Sequence, residues 1–224
     1  MEFILTESEF NEDNTAWNGN RFLMGNGYFG IRGTLEEYTK KQMCAVNMAG
    51  IYDKMGNSWR ESVNAPNPLY TYIKVNGKIY ALPDEKPKFH QQELDFRYGI
   101  HSRVTHWQTE HGNITVVCER FASIARQHNI AMKYTFSVDF DCEAEIITGI
   151  DGDVWDINGP HFVKMKIGSK DGADYVTGMT GEKNISVTVK EYVRTDFQAE
   201  QTNQNTDKSC LLYTSDAADE GLGV

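Results

Sequence analysis

Gly25-Asn26-Gly27-Tyr28-Phe29-Gly30 spells the G-x-G-x-x-G pattern that can cradle a dinucleotide pyrophosphate, and Asp53 stands near the spacing of a ribose-binding acid. That chemistry needs a strand before the glycines, an amphipathic helix after them and a parallel strand ending at the acid. Arg21-Phe22-Leu23-Met24 can supply the strand. The helix fails, because Gly33 interrupts it and the apolar positions beyond do not recur every three or four residues. The glycines therefore read as a hinged turn that lets two backbones approach closely, and no cofactor-binding residue is assigned.

Glu36-Glu37 is a carboxylate pair of the kind that performs acid–base chemistry on glycosides. Neighbouring side chains point apart, however, and 32 acidic residues make such pairs common by chance. Asp151-Gly152-Asp153 opens like a calcium loop, but Val154 and Trp155 follow where further oxygen ligands should come, so it reads as a β-turn. The six histidines (90, 101, 106, 111, 128 and 161) never fall into H-x-H or H-E-x-x-H spacing. No catalytic residue and no metal ligand is assigned. Tyr52, Trp59, Tyr70, Tyr72 and Trp107 could stack on sugar rings, although aromatic stripes in an all-β domain more often form core.

The elements that would carry these residues are strands. Tyr70 to Val75 and Lys78 to Leu82 flank Asn76-Gly77, the pair that supplies the positive φ angles of a type I′ hairpin. A second hairpin is expected from Ser102 to Trp107 and from Ile114 to Phe121, turning at His111-Gly112-Asn113. Further strands are expected over 128–138, 142–150, 161–167, 175–179 and 185–193. Met132, Tyr134, Phe136 and Val138 share one face of the first of these. Thr34 to Gln42 could form a short helical turn, with only Leu35 and Tyr38 apolar, and no segment holds a 3.6-residue period over three turns. The expectation is an all-β domain of two packed antiparallel sheets over residues 1–209.

Composition narrows the partners. The chain of 224 residues is 40% hydrophobic and 24% charged, which suits a globular domain. A net charge of −10 repels phosphate backbones and anionic lipid, so neither nucleic acid nor membrane is an expected partner. No run of 18 apolar residues occurs, and Met1 to Glu7 lacks the basic start of a secretory signal. Cys44, Cys118, Cys142 and Cys210 show no C-x-x-C spacing and read as reduced, buried thiols of a cytoplasmic protein. The sequons at Asn113 and Asn184 then read as chance matches.

Arg21 to Glu37, centred on Gly25-Asn26-Gly27-Tyr28-Phe29-Gly30-Ile31-Arg32-Gly33, resembles a segment near the start of glycoside hydrolase family 65 proteins. Asn47 to Asp53, Glu119-Arg120-Phe121-Ala122-Ser123 and Ile150-Asp151-Gly152-Asp153-Val154 are similar to later segments of that family, in the same order. The family contains the inverting phosphorylases of maltose, trehalose, kojibiose and nigerose. The resemblance implies an amino-terminal, galactose-mutarotase-like super-sandwich that is itself non-catalytic. It also implies an (α/α)6 barrel on the same polypeptide that supplies the general-acid Glu and the phosphate site. Inorganic phosphate would be a co-substrate that attacks the anomeric carbon and inverts it, and the barrel, the disaccharide and a second copy in a homodimer are the implied partners. The readings that compete are a freestanding carbohydrate-binding module, a family 65 hydrolase such as an acid trehalase, and a nucleotide-binding oxidoreductase.

Two stretches carry separate expectations. Cys210 to Asp219 resembles a translated transposon-end sequencing adapter, so residues 210–224 are expected to stand outside a carboxy-terminally truncated domain and to add nothing to its fold. Ile51 to Arg60, continuing through Val63 to Leu69, reads as a long loop with more apolar bulk than a solvated loop needs. Tyr52, Trp59 and Arg60 are its candidate contacts with the catalytic barrel.

Overall fold

A computed structural model of the chain describes residues 3–197 and 200–217. In chain order the strands are β1 (Ile4–Glu7), β2 (Met24–Gly25), β3 (Phe29–Ile31), β4 (Val46–Asp53), β5 (Glu61–Asn64), β6 (Asn67–Val75), β7 (Lys78–Tyr80) and β8 (Phe89–Asp95). They continue as β9 (Ile100–Gln108), β10 (Asn113–Ala122), β11 (Ile130–Val138), β12 (Glu143–Asp151), β13 (Phe162–Lys170), β14 (Ala173–Thr180), β15 (Ser186–Glu191), β16 (Glu200–Asn205) and β17 (Cys210–Ala217). One short helix, α1 (Thr15–Arg21), follows β1. The all-β expectation holds.

The count of two sheets does not. The strands hydrogen-bond into four antiparallel sheets: β1-β8-β9-β10-β11, β16-β17-β12-β6-β7, β2-β3-β4-β5 and β13-β14-β15. The two five-stranded sheets share the main core. Trp107, Ile114 and Val116 from β9 and β10 meet Ile73, Val75 and Tyr80 from β6 and β7. Leu35 and Tyr38 plug this core from the connection before β4, where the expected helical turn shrinks to a 3-10 turn at Lys40–Gln42 capped by Thr39. Each such side chain contributes about 1.5–3 kcal/mol by leaving water.

Turn chemistry fixes the registers. Asn76 and Gly77 take φ values of 50° and 77°, so Val75 pairs with Lys78 across the predicted two-residue turn. The second predicted hairpin also forms, with Asn113 opposite Gln108.

The tail departs from expectation. Residues 210–217 form β17, hydrogen-bonded to β12 on one side and β16 on the other, and Cys210 is buried with Ile150 and Val176. Leu211-Leu212-Tyr213-Thr214 has good strand propensity, and without it β12 would present unpaired backbone groups. Gly149 permits the fit, since a Cβ there would lie 2.1 Å from the Cys210 carbonyl oxygen. Residues 218–224 lie outside the described residues.

Candidate functional site

The β4–β5 hairpin carries the three candidate contact residues. Asp53 pairs with Glu61 and Tyr52 with Ser62, so alternation turns both acids inward and both neighbours outward. Tyr52 is 49% exposed and Trp59, in the connection leading into β5, 64%. Arg60 grips the Glu182 carboxylate with two nitrogens, Nε lying 3.1 Å from Oε2 and Nη2 close on Oε1. Ile157 and Val163, also exposed, lie on segments bound to this hairpin: the Asn158 N–H donates to Glu61 Oε1 at 2.8 Å, and Val163 lies against Gly181 beside Asp53. The apolar stretch is shorter than the sequence suggested. Val63, Ala65 and Leu69 are buried, because β5 and the start of β6 direct them into the domain.

Beneath the exposed side chains lies a buried polar cluster. His161 Nδ1 is 3.2 Å from Asp53 Oδ2, and its Nε2 is 2.7 Å from Glu61 Oε1. Asp53 also accepts the backbone N–H groups of Glu182 at 3.0 Å and Gly181 at 3.3 Å. Burial opposes its charge, but those amides and His161 hold its carboxyl below the ordinary value. Burial likewise opposes charge on His161, yet Glu61 and Asp53 raise it above the ordinary histidine range. Nearby, burial pushes the Asp156 carboxyl up to about 6, while its Oδ1 accepts the Asn64 N–H at 3.0 Å.

The other motifs have structural work. Gly25 to Gly30 form the β2–β3 hairpin, with an antiparallel strand where a cofactor-binding fold would start a helix. Asn26 organises it, accepting from the Tyr28 and Phe29 amides and donating to the Ser123 and Gln127 carbonyls. Gly27 sits at φ 85°. Asp53, the would-be ribose acid, is occupied by His161. Asp151 accepts from Ser209 Oγ at 2.9 Å, and Asp153 pairs with Lys40 and Lys208.

Glu36 and Glu37 do not point apart. They occupy a turn, not a strand, and both reach Arg103. Arg120 adds a contact to Glu36 Oε1 at 3.0 Å and donates to the Thr34 carbonyl. All four charged side chains are at most 2% exposed, so no substrate reaches them. Trp107 is core; Tyr70 and Tyr72 are half-buried, their rings 5.5 Å apart. A cleft of about 740 Å³ opens between β6, β11, β12 and β15. On its wall Thr71 and Thr148 hydroxyls meet at 2.8 Å, and Thr148 donates to Glu191 Oε1 at 3.0 Å.

The polar clusters of this all-β chain serve its own structure, and its β4–β5 hairpin exposes Tyr52 and Trp59. The family model for glycosyl hydrolase family 65, N-terminal domain, matches residues 5–220, and the chain belongs to that family. It is 51% identical over 166 residues to a nigerose phosphorylase of Lachnoclostridium phytofermentans, covering 74% of this chain and 22% of the relative. It is 37% identical over 198 residues to a 1,2-alpha-glucosylglycerol phosphorylase of Bacillus selenitireducens, covering 88% and 26%. Among solved structures, a putative kojibiose phosphorylase from the human microbiome superposes with a TM-score of 0.83 at 20% identity, over 95% of this chain and 30% of that one; it shows the shared fold. The chain thus spans roughly a quarter of the length of the curated relatives it matches.

Proposed function

We propose that this chain is the amino-terminal, non-catalytic domain of an inverting α-glucoside (disaccharide) phosphorylase of carbohydrate metabolism. Its 51% identity over 74% of the chain to a nigerose phosphorylase carries the reading. The shared core of the two five-stranded sheets supports taking them as the layers of a super-sandwich. In the whole protein the catalytic barrel would hold the general acid and inorganic phosphate, and Tyr52, Trp59 and Arg60 would pack against it. The exposure of Tyr52 and Trp59 supports that placement, since large apolar side chains grouped at a surface mark a partner. The four unpaired cysteines fit a reducing, cytoplasmic setting.

The test is a chimera in which this chain replaces the matching part of the Lachnoclostridium nigerose phosphorylase. Phosphorolysis of nigerose to glucose 1-phosphate is expected from the chimera and not from the isolated chain. Glucose 1-phosphate made by the purified chain alone would overturn the reading, as would a folded chimera without activity beside an active parent.

A further inference from the structure

The arrangement of His161 leaves little freedom about its proton count. Both ring nitrogens face carboxylate oxygens, Nδ1 that of Asp53 and Nε2 that of Glu61, in a site from which solvent is excluded. A neutral imidazole has one N–H, so one nitrogen would oppose its lone pair to that of a carboxylate. Neither acid holds the missing proton cheaply, because two backbone N–H groups point at the Asp53 oxygens and the Asn158 N–H points at Glu61 Oε1, and each favours the anion. The ring is therefore the place where the extra proton is best held.

We infer that His161 is an ionic clasp: as the imidazolium it ties the base of the Trp59 hairpin, through Asp53 and Glu61, to the β14–β15 turn at Gly181 and Glu182, and losing its proton loosens that tie. Asp53 lies more than a hundred positions from both of its partners, 108 from His161 and 129 from Glu182. The same junction is also crossed by the Gly181 N–H, 3.1 Å from the His161 carbonyl, by the Asn64 and Asn158 N–H groups, which donate to Asp156 and Glu61, and by the Arg60–Glu182 pair at the rim, where solvent weakens it. The groups that bear on the ring are Asp53 on β4, Glu61 on β5 and Asp156 in the β12–β13 connection, all acidic. Arg60 faces Glu182, so its positive charge is spent at the rim.

The sign follows from the raised value. The clasp stabilises fully below the ordinary histidine value of 6.5 and fades as pH rises through the higher folded value, the proton passing to water. Its consequence for catalysis rests on the reading of Tyr52, Trp59 and Arg60 as a docking face: the orientation of that face becomes dependent on pH above 6.5.

Nitrogen NMR of the chain tests the clasp directly. At pH 6.5, where an ordinary histidine is half protonated, the His161 ring is expected to carry both protons in most molecules, with its midpoint above that pH. The Gly181 and Glu182 amides should shift with the same midpoint as the ring, and their protection, corrected for intrinsic exchange, should fall ten-fold or more above it. A ring midpoint at or below 6.5, or protection that ignores the ring's titration, overturns the inference. In His161→Gln, which keeps a donor but no charge, protection should be low and flat with pH; if that variant fails to fold, the titration of the unaltered chain still decides. A separately produced catalytic part of the Lachnoclostridium relative, added across the same pH range, tests the docking. A clasp that titrates without any binding would remove the docking reading and leave the clasp standing.

Discussion

Arg103 sets both terminal nitrogens on the Glu37 carboxylate, 2.6 Å and 3.1 Å away, while its Nε donates to Glu36 at 2.8 Å. One guanidinium thus serves two buried carboxylates that are adjacent in sequence, and Tyr134 lies 6.0 Å from its carbon. The pairing fastens the connection before β4 to the middle of the first sheet.

Arg103→Met should therefore destabilise the chain by about 3–5 kcal/mol, because it strands buried charge instead of removing a pair. Arg103→Lys should recover only part of the loss, since an ammonium cannot fork onto both acids. Urea unfolding measures both; a midpoint unmoved by Arg103→Met would show the network to be idle. The same network predicts acid sensitivity. Burial works against the Glu36 charge, but Arg120 and Arg103 hold its carboxyl at about 2, so its contribution is complete above 4.5 and drains away as pH falls towards 2.

Trp59→Ala should leave the unfolding free energy of the chain within about 0.5 kcal/mol, as expected for an exposed side chain. In the chimera the same change should cost activity or thermal stability. A large loss in the isolated chain would place Trp59 in the core and end its role as a contact.

Glu191 titrates in the opposite sense to Glu36. Burial pushes its carboxyl up to about 7 despite the Thr148 hydrogen bond, so the folded state loses stability as pH rises from 4.5 to 7 and does not regain it above. Glu191→Gln, measured by thermal melts at pH 5 and pH 8, should raise the melting temperature at pH 8 and change it little at pH 5. Equal shifts at both would mean that the carboxyl is not the titrating group.

Ending the chain at Ser209 should lower the melting temperature by several degrees. It removes the strand between β12 and β16 and takes Cys210 from Ile150 and Val176. An unchanged melting temperature would return residues 210–224 to the position the sequence alone suggested, outside the domain.

Much of the fold was legible where polarity alternates with burial. The Asn76-Gly77 hairpin and strands β9, β10, β11 and β15 follow that rule. Strand β8 breaks it: its buried face is His90, Gln92 and Leu94, while Phe89 is 40% exposed, so its pattern reads inverted. Helix α1 spans seven residues and buries Asn18 and Gly19, too short and too polar to leave an apolar stripe. At the candidate site, the apolar excess of the loop pointed to Tyr52 and Trp59. Nothing local pointed to Asp53, Glu61 and His161 as one cluster, because the partners lie about a hundred residues apart and no spacing rule spans such distances. Residues 210–217 pair for a reason independent of any origin ascribed to them: a strand-forming stretch will occupy an open sheet edge.

Strand β11 closes the first sheet with nine residues and has no strand on its outer side among those described. Such a border invites a second molecule to add itself, chain after chain, and the usual deterrents are sparse here: Lys133 is its one charged side chain. Mutual repulsion between molecules carrying −10 each is then the main guard against clumping. Concentrated salt should weaken that guard, and light scattering should rise with ionic strength, least of all in a Thr135→Lys variant that charges the border itself.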